Sequence, residues 1–153
     1  MADPGLIAPQ DRELRALLGD AHTIAVVGLS SKPDRPSLNV AGYLQERGYR
    51  IVPVNPRETE VLGEPAFATL GDIPKEIHVD VVDVFRRAED TPDVARDAVA
   101  MGAKVLWLQD GIVNEEAHRI ASEAGLEVIM GVCIRDTIKR LDTVEDPAED
   151  TEG

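Results

Sequence analysis

From Ile24 onward the chain alternates between two hydrophobic patterns: short, nearly continuous apolar runs, and stretches whose apolar residues fall three and four apart. The runs at Ile24 to Leu29, Arg50 to Val54, Val79 to Phe85, Lys104 to Leu108 and Leu126 to Met130 read as strands buried on both faces, as parallel sheets require. The stretches between them read as helices. One runs about Ser37 to Glu46 with Val40, Tyr43 and Leu44 inward and Gly48 as its stop. The next starts at Thr91, expected to cap, and Pro92 at the first helical position; it buries Val94, Ala95, Ala98 and Val99 and ends at Gly102. A third is capped by Asn114 and stops at Gly125, and a last one spans about Arg135 to Leu141. Earlier, Gln10 to Leu18 predicts a helix with Leu14, Leu17 and Leu18 on one face. Glu58 to Ala68 keeps neither period and predicts irregular chain with a short turn at Val61 to Gly63; a brief helix is expected near Leu70 to Pro74.

Strands alternating with helices predict one α/β domain. Its expected form is a Rossmann-like, open, mainly parallel sheet of five strands, with right-handed crossovers that place helices on both faces. The chain divides into an arm and helix over residues 1–22, the sheet domain over 23–141, and a tail over 142–153. Met1 to Pro9 has no periodicity and reads as a loose arm. The tail carries six acids, no bases and Pro147, the composition of a disordered, solvated segment.

Charge then narrows the partners. Sixteen Lys and Arg against 29 Asp and Glu give −13 overall, which argues against a general nucleic-acid or membrane-surface binder, since both need a basic face. A small anionic ligand would need local cations, and Lys32, Arg35, Arg57, Arg86 and Arg87 are the candidates. Cys133 is the one cysteine, so no intrachain disulfide and no all-cysteine metal site forms, and a reducing cytoplasm is the expected compartment. No apolar stretch approaches the roughly 20 residues that cross a bilayer.

Ligands of open parallel sheets sit beyond the carboxyl ends of the strands. Those ends carry Gly28-Leu29-Ser30, Val54-Asn55-Pro56, Phe85-Arg86-Arg87, Gln109-Asp110-Gly111 and Gly131-Val132-Cys133. The first stands out: a buried strand, a glycine, a hydroxyl-rich loop with two cations, then Pro36 and Ser37 opening a helix, whose unpaired N–H groups suit an anion. It departs from the G-x-G-x-x-G fingerprint, with Ser30 third and Pro33 sixth, and a strand-to-helix turn without a ligand remains the plainer alternative. Where a dinucleotide fold offers the ribose an acid, this chain has Asn55 with Arg57 close behind, which tolerates a phosphorylated ribose better. Asp80 and Asp83 need not be a catalytic pair and read as structural or edge residues, with a ligand contact as the alternative. His22, His78 and His118 are scattered, so no Ser–His or Cys–His arrangement has an obvious base, and His22 reads as a loop residue. Cys133 reads as a small buried side chain, with a thiol at the ligand pocket as its alternative.

These residues, with Ala25 to Ser30, Arg35 to Ser37, Gly48 to Pro56, Val84 to Arg87, Lys104 to Ile112 and the region of Cys133, make the chain resemble small bacterial and archaeal CoA-binding proteins. Their fold is similar to the CoA-binding domain of the succinyl-CoA synthetase alpha subunit, and the resemblance covers about Thr23 to Leu141. It implies coenzyme A or an acyl-CoA as ligand, with the pyrophosphate on the Gly28, Leu29 and Ser30 turn and Arg35 helping to neutralise it. Asn55, Pro56 and Arg57 would meet the adenosine end, Phe85 and Arg86 would flank the adenine, and Gln109 and Cys133 would lie toward the pantetheine arm. Lys32, Pro36 and Ser37 complete the implied set. The synthetase's catalytic histidine has no counterpart here, and Val132 stands where family members tend to have an arginine before the cysteine. The expectation is a CoA binder, monomeric or weakly self-associating, without catalysis of its own. An NAD(P)-binding enzyme or sensor, and a ligand-binding subunit of a separate acyl-CoA ligase, stay open as alternatives.

Overall fold

The five apolar runs pair as one sheet in the computed structural model, which describes residues 11–143. In chain order the strands are β1 (Thr23–Val27), β2 (Arg50–Val54), β3 (Glu60–Val61), β4 (Glu64–Pro65), β5 (Val81–Val84), β6 (Val105–Leu108) and β7 (Glu127–Met130). The helices are α1 (Asp11–Asp20), α2 (Pro36–Glu46), α3 (Thr91–Ala100), α4 (Glu115–Glu123) and α5 (Ile134–Thr143). The main sheet has the order β2-β1-β5-β6-β7 with every pairing parallel. It is a Rossmann-like α/β domain, as the alternation predicts.

Both faces of the sheet are covered, which is why its strands are nearly continuously apolar rather than apolar at every second position, with Asp83 of β5 the buried ionisable exception. Ala25, Val27, Val82, Val84, Leu106 and Leu108 face α3 and α4, meeting Ala95, Ala98, Ala117 and Ala121. Ile24, Val26, Val81, Val105 and Trp107 face the other way, onto Leu14 and Leu18 of α1, Val40, Ala41 and Leu44 of α2, and Ile134, Ile138 and Leu141 of α5. The register places Val54, Val27, Val84, Leu108 and Met130 in one row, so the strands finish level and the loops after them share one rim.

Several local readings change. The segment expected to be irregular over Glu58 to Ala68 holds a tight antiparallel hairpin of β3 and β4. Its two turn residues, Leu62 and Gly63, both have positive φ (56° and 78°), the backbone of a type I′ turn, and Leu62 is an unusual residue there. Two-residue strands are too short for any hydrophobic alternation to announce them. Phe67 then runs beside β2, taking Asn55 N–H on its carbonyl at 2.8 Å and donating to Pro53 O at 3.0 Å, which covers the sheet edge where Pro53 is tolerated. Thr91 does not cap α3: Asp90 holds that position without a side-chain bond, and the Thr91 hydroxyl donates to Ala88 O at 2.6 Å. Asn114 does cap α4, accepting Ala117 N–H at 2.8 Å. Helix α5 continues through Thr143, so Asp142, the first residue of the expected tail, is helical and pairs with Arg47 at 2.8 Å. The arm over Met1 to Pro9 and the remainder of the tail lie outside the described residues. Among those described, no helix is long and apolar enough to cross a membrane.

Candidate functional site

The chain leaves β1 through α2 to reach β2 on one side, then returns to β5 on the other side of β1. Helices α2 and α3 consequently pack on opposite faces, and a crevice opens above the carboxyl ends of β1 and β5, the point where strand order reverses. Here it is a cleft of about 690 Å³ lined by Gly28, Ser30 to Lys32, Arg35 to Ser37, Asn55, Arg57, Glu58, Phe85 to Arg87 and Ile112.

Gly28 is the pivot of this cleft. Its φ is +88°, and a Cβ there would lie 2.4 Å from the Phe85 carbonyl oxygen, so no other residue lets β1 and β5 turn away from each other this closely. Its N–H donates to Val54 O at 2.7 Å, and Phe85 N–H donates to Val27 O at 2.8 Å, extending the ladder by one residue on each side. The loop that follows is tied to itself and to α2. Ser30 N–H donates to the buried Ser37 hydroxyl at 3.1 Å, and Lys32 N–H donates to Ser30 Oγ at 3.1 Å. Pro36 begins α2 without a side-chain cap from Arg35, which leaves that residue's guanidinium exposed at the rim.

Charge in the cleft opposes the charge of the molecule. Lys32, Arg35, Arg57 and Arg86 all line it and form no ion pair among the described residues, in a chain of net −13. Arg87 is partly neutralised by Glu89 at 3.7 Å and Asp90 at 3.3 Å. Like charges held together without counterions repel one another; an arriving polyanion removes that repulsion and gains charge-assisted hydrogen bonds. The half-buried Phe85 ring, beside the Arg86 stem, offers the apolar surface that a planar base requires.

Of the residues singled out from the sequence, Gly28, Ser30, Lys32, Arg35, Pro36, Ser37, Asn55, Arg57, Phe85 and Arg86 meet in this one cleft. Leu29 is fully buried in the core and offers only its backbone; its carbonyl accepts from Asn55 Nδ2 at 3.1 Å. The Asn55 amide is spent on structure at both atoms, since its Oδ1 accepts Arg57 N–H at 2.9 Å. Pro56 is exposed beside the cleft without lining it. Gln109 is buried, and its amide donates to Asp83 Oδ1 rather than into the cleft. Cys133 also lies off the lining, half-buried against the α2 and α5 side of the core, where burial pushes its thiol pKa up, against the opposing pull of the Asp136 and Arg135 backbone.

Two aspartates divide the sheet's polarity between its ends. Burial works against ionisation of Asp80, but the backbone N–H groups of His22 and Thr23 donate to it at 2.8 and 3.0 Å, with His78 and Lys104 alongside, and hold its carboxyl below the usual range. Asp83 has only the Gln109 amide, on Oδ1, and no charged or backbone partner among the described residues. Fully buried, with Oδ2 unpartnered, its pKa is pushed up to about 8 by desolvation. Sequence reasoning did not single out Ser31, Glu58 or Ile112 of the lining; the consequential one is Glu58, whose carboxylate accepts from both Ser31 N–H (2.8 Å) and Ser31 Oγ (2.9 Å). Its nearness to the end of β2 was the only signal, and nothing in the local sequence says that it turns back to a loop 27 residues earlier.

Known proteins resemble this chain in sequence and in fold. A Bacillus subtilis protein, the uncharacterized YneT, is 45% identical over 127 residues, covering 83% of this chain and 93% of the relative. A solved structure of a Thermus thermophilus protein superimposes with a TM-score of 0.82 at 41% identity, covering 87% of this chain and 99% of that one. The alpha subunit of acetate–CoA ligase (ADP-forming) II from Pyrococcus furiosus is 28% identical over 120 residues, 72% of this chain but 26% of that subunit. The model of one family, the CoA binding domain, matches residues 22–135, the span that contains the whole sheet and every residue of the cleft, and the chain therefore belongs to that family.

Proposed function

We propose that this protein binds coenzyme A or an acyl-CoA in the cleft between the ends of β1 and β5 and carries out no chemistry of its own. The observation that carries this reading is the convergence of Lys32, Arg35, Arg57 and Arg86, unpaired, on one crevice of an acidic protein. Coenzyme A brings a diphosphate and a third phosphate on its ribose, a match for several separate cations. In this reading the diphosphate lies by the Gly28 turn and the start of α2, with Arg35 and Lys32 over it. Arg57 meets the phosphorylated ribose, and Phe85 with the Arg86 stem covers the adenine. The lining contains one acid, Glu58, and no histidine or cysteine, which supports a binding role over an acid–base one. Calorimetric titration of folded, ligand-free protein tests it: saturable heat with CoA is expected, and none at millimolar CoA would sink the idea.

A second reading, as the ligand-binding partner of a separate acyl-CoA ligase, is favoured by the likeness to the P. furiosus ligase subunit, of which this chain spans about a quarter. Copurification with a stable ligase partner is expected on that reading, and a pull-down that recovers none counts against it.

A further inference from the structure

Several backbone donors of the β1 to α2 loop are already engaged before any ligand arrives. Ser30 N–H goes to Ser37 Oγ, Lys32 N–H to Ser30 Oγ and Arg35 N–H to Lys32 O, all neutral partners built into the turn. Ser31 is different: its N–H and its hydroxyl both donate to one carboxylate oxygen of Glu58, contributed by the loop after β2. Ser31 is exposed, Glu58 is the one acid of the cleft lining, and Lys32, Arg35, Arg57 and Arg86 line the same space. A carboxylate that accepts an N–H and an O–H from a phosphate-sized loop takes the place an anionic oxygen would take.

We infer that Glu58 is an internal competitor for the anion site: its carboxylate occupies the Ser31 donors and ties the two loops together, and a ligand anion binds by displacing it. This rests on the proposed function and deepens it. Displacement exchanges one charged acceptor for another on the same two donors, so the loop is never left unsatisfied. It also filters ligands, because a weak or singly charged anion competes poorly with a tethered carboxylate, whereas a polyanion that engages the surrounding cations at once prevails. The Asn55 Nδ2 bond to Leu29 O persists when Glu58 swings out, so the loops stay in register.

The test uses Glu58→Gln, Glu58→Ala and, as a charge control, Asp34→Asn, which neutralises an acid of the β1 to α2 loop that does not line the cleft. With inorganic diphosphate and with CoA as probes, Glu58→Gln should bind roughly 3- to 10-fold tighter than the parent, and Asp34→Asn at most about twofold tighter. Equal gains from both variants, or no gain from Glu58→Gln, overturn the competitor. Without ligand, amide hydrogen exchange over residues 29–33 should be about tenfold faster in Glu58→Ala; unchanged exchange overturns the inference whatever binds. If the parent binds diphosphate but not CoA, the competitor stands and the CoA reading falls. If neither the parent nor Glu58→Gln binds diphosphate, the inference falls.

Discussion

Asp83 should make the stability of this protein fall as pH rises through a range where most proteins hold steady. The side chain is fully buried on the α2 and α5 side of the sheet, in register between Val26 and Trp107. Its Oδ1 accepts from Gln109 and its Oδ2 meets no partner. Desolvation raises its pKa from 3.8 to about 8, with the Gln109 bond opposing only in part. Below pH 3.8 the acid is neutral in both folded and unfolded chains, and folding is unpenalised. Between pH 3.8 and about 8 the unfolded chain ionises while the folded one holds its proton, so stability declines, and above that it levels. Each pH unit in the window removes about 1.4 kcal/mol, so from pH 4.5 to 7.5 the loss is about 4 kcal/mol, a large share of a typical domain's stability. Asp83→Asn keeps an acceptor for Gln109 and cannot ionise. Its new amide hydrogens add a constant penalty, so the diagnostic quantity is the slope. Urea denaturation at half-unit steps from pH 4.5 to 7.5 should give a parent-minus-variant stability that drops by about 4 kcal/mol across the series. Parallel curves would show that Asp83 is hydrated or compensated, and would refute the reasoning.

Gly28→Ala combines a left-handed backbone with a Cβ 2.4 Å from a main-chain oxygen that cannot rotate away; we expect a loss of about 2–4 kcal/mol, read as a drop of several degrees in Tm, and an unchanged melting curve would mean that β1 and β5 separate freely. Arg35→Ala should weaken CoA binding by about 1 kcal/mol, roughly fivefold, the low end for a charge-assisted contact because the side chain is exposed; undiminished affinity in calorimetry would put the phosphates elsewhere. Because burial raises the Cys133 thiol pKa, its reaction with a disulfide reagent at pH 7.5 should run at least about tenfold slower in the native protein than in urea, and equal rates would contradict the packing described.

Most of the site was legible because it is written into strand ends. Gly28, Ser30, Arg35, Asn55 and Phe85 each follow an apolar run, and parallel strands of equal register bring such positions to one rim. Gln109 and Cys133 follow the same rule in sequence but not in space. A residue one step past a strand still alternates between faces, and Gln109 falls on the core side, where Asp83 holds it. Glu58 lies four residues past the run of β2, but the hairpin of two-residue strands after it leaves no periodicity to say where it turns.

By itself the sequence determined the five buried strands, the helices between them, the glycine at the first turn and the cations around it, because each is a matter of local period, local backbone freedom or charge. Strand order was decided only in three dimensions. That β5 returns to lie beside β1, and not beyond β2, is what sets Arg86 over Gly28, frees a crevice between them and leaves an ionisable aspartate sealed in the sheet. These are consequences of contacts between residues far apart in the chain, and no window of sequence contains both partners.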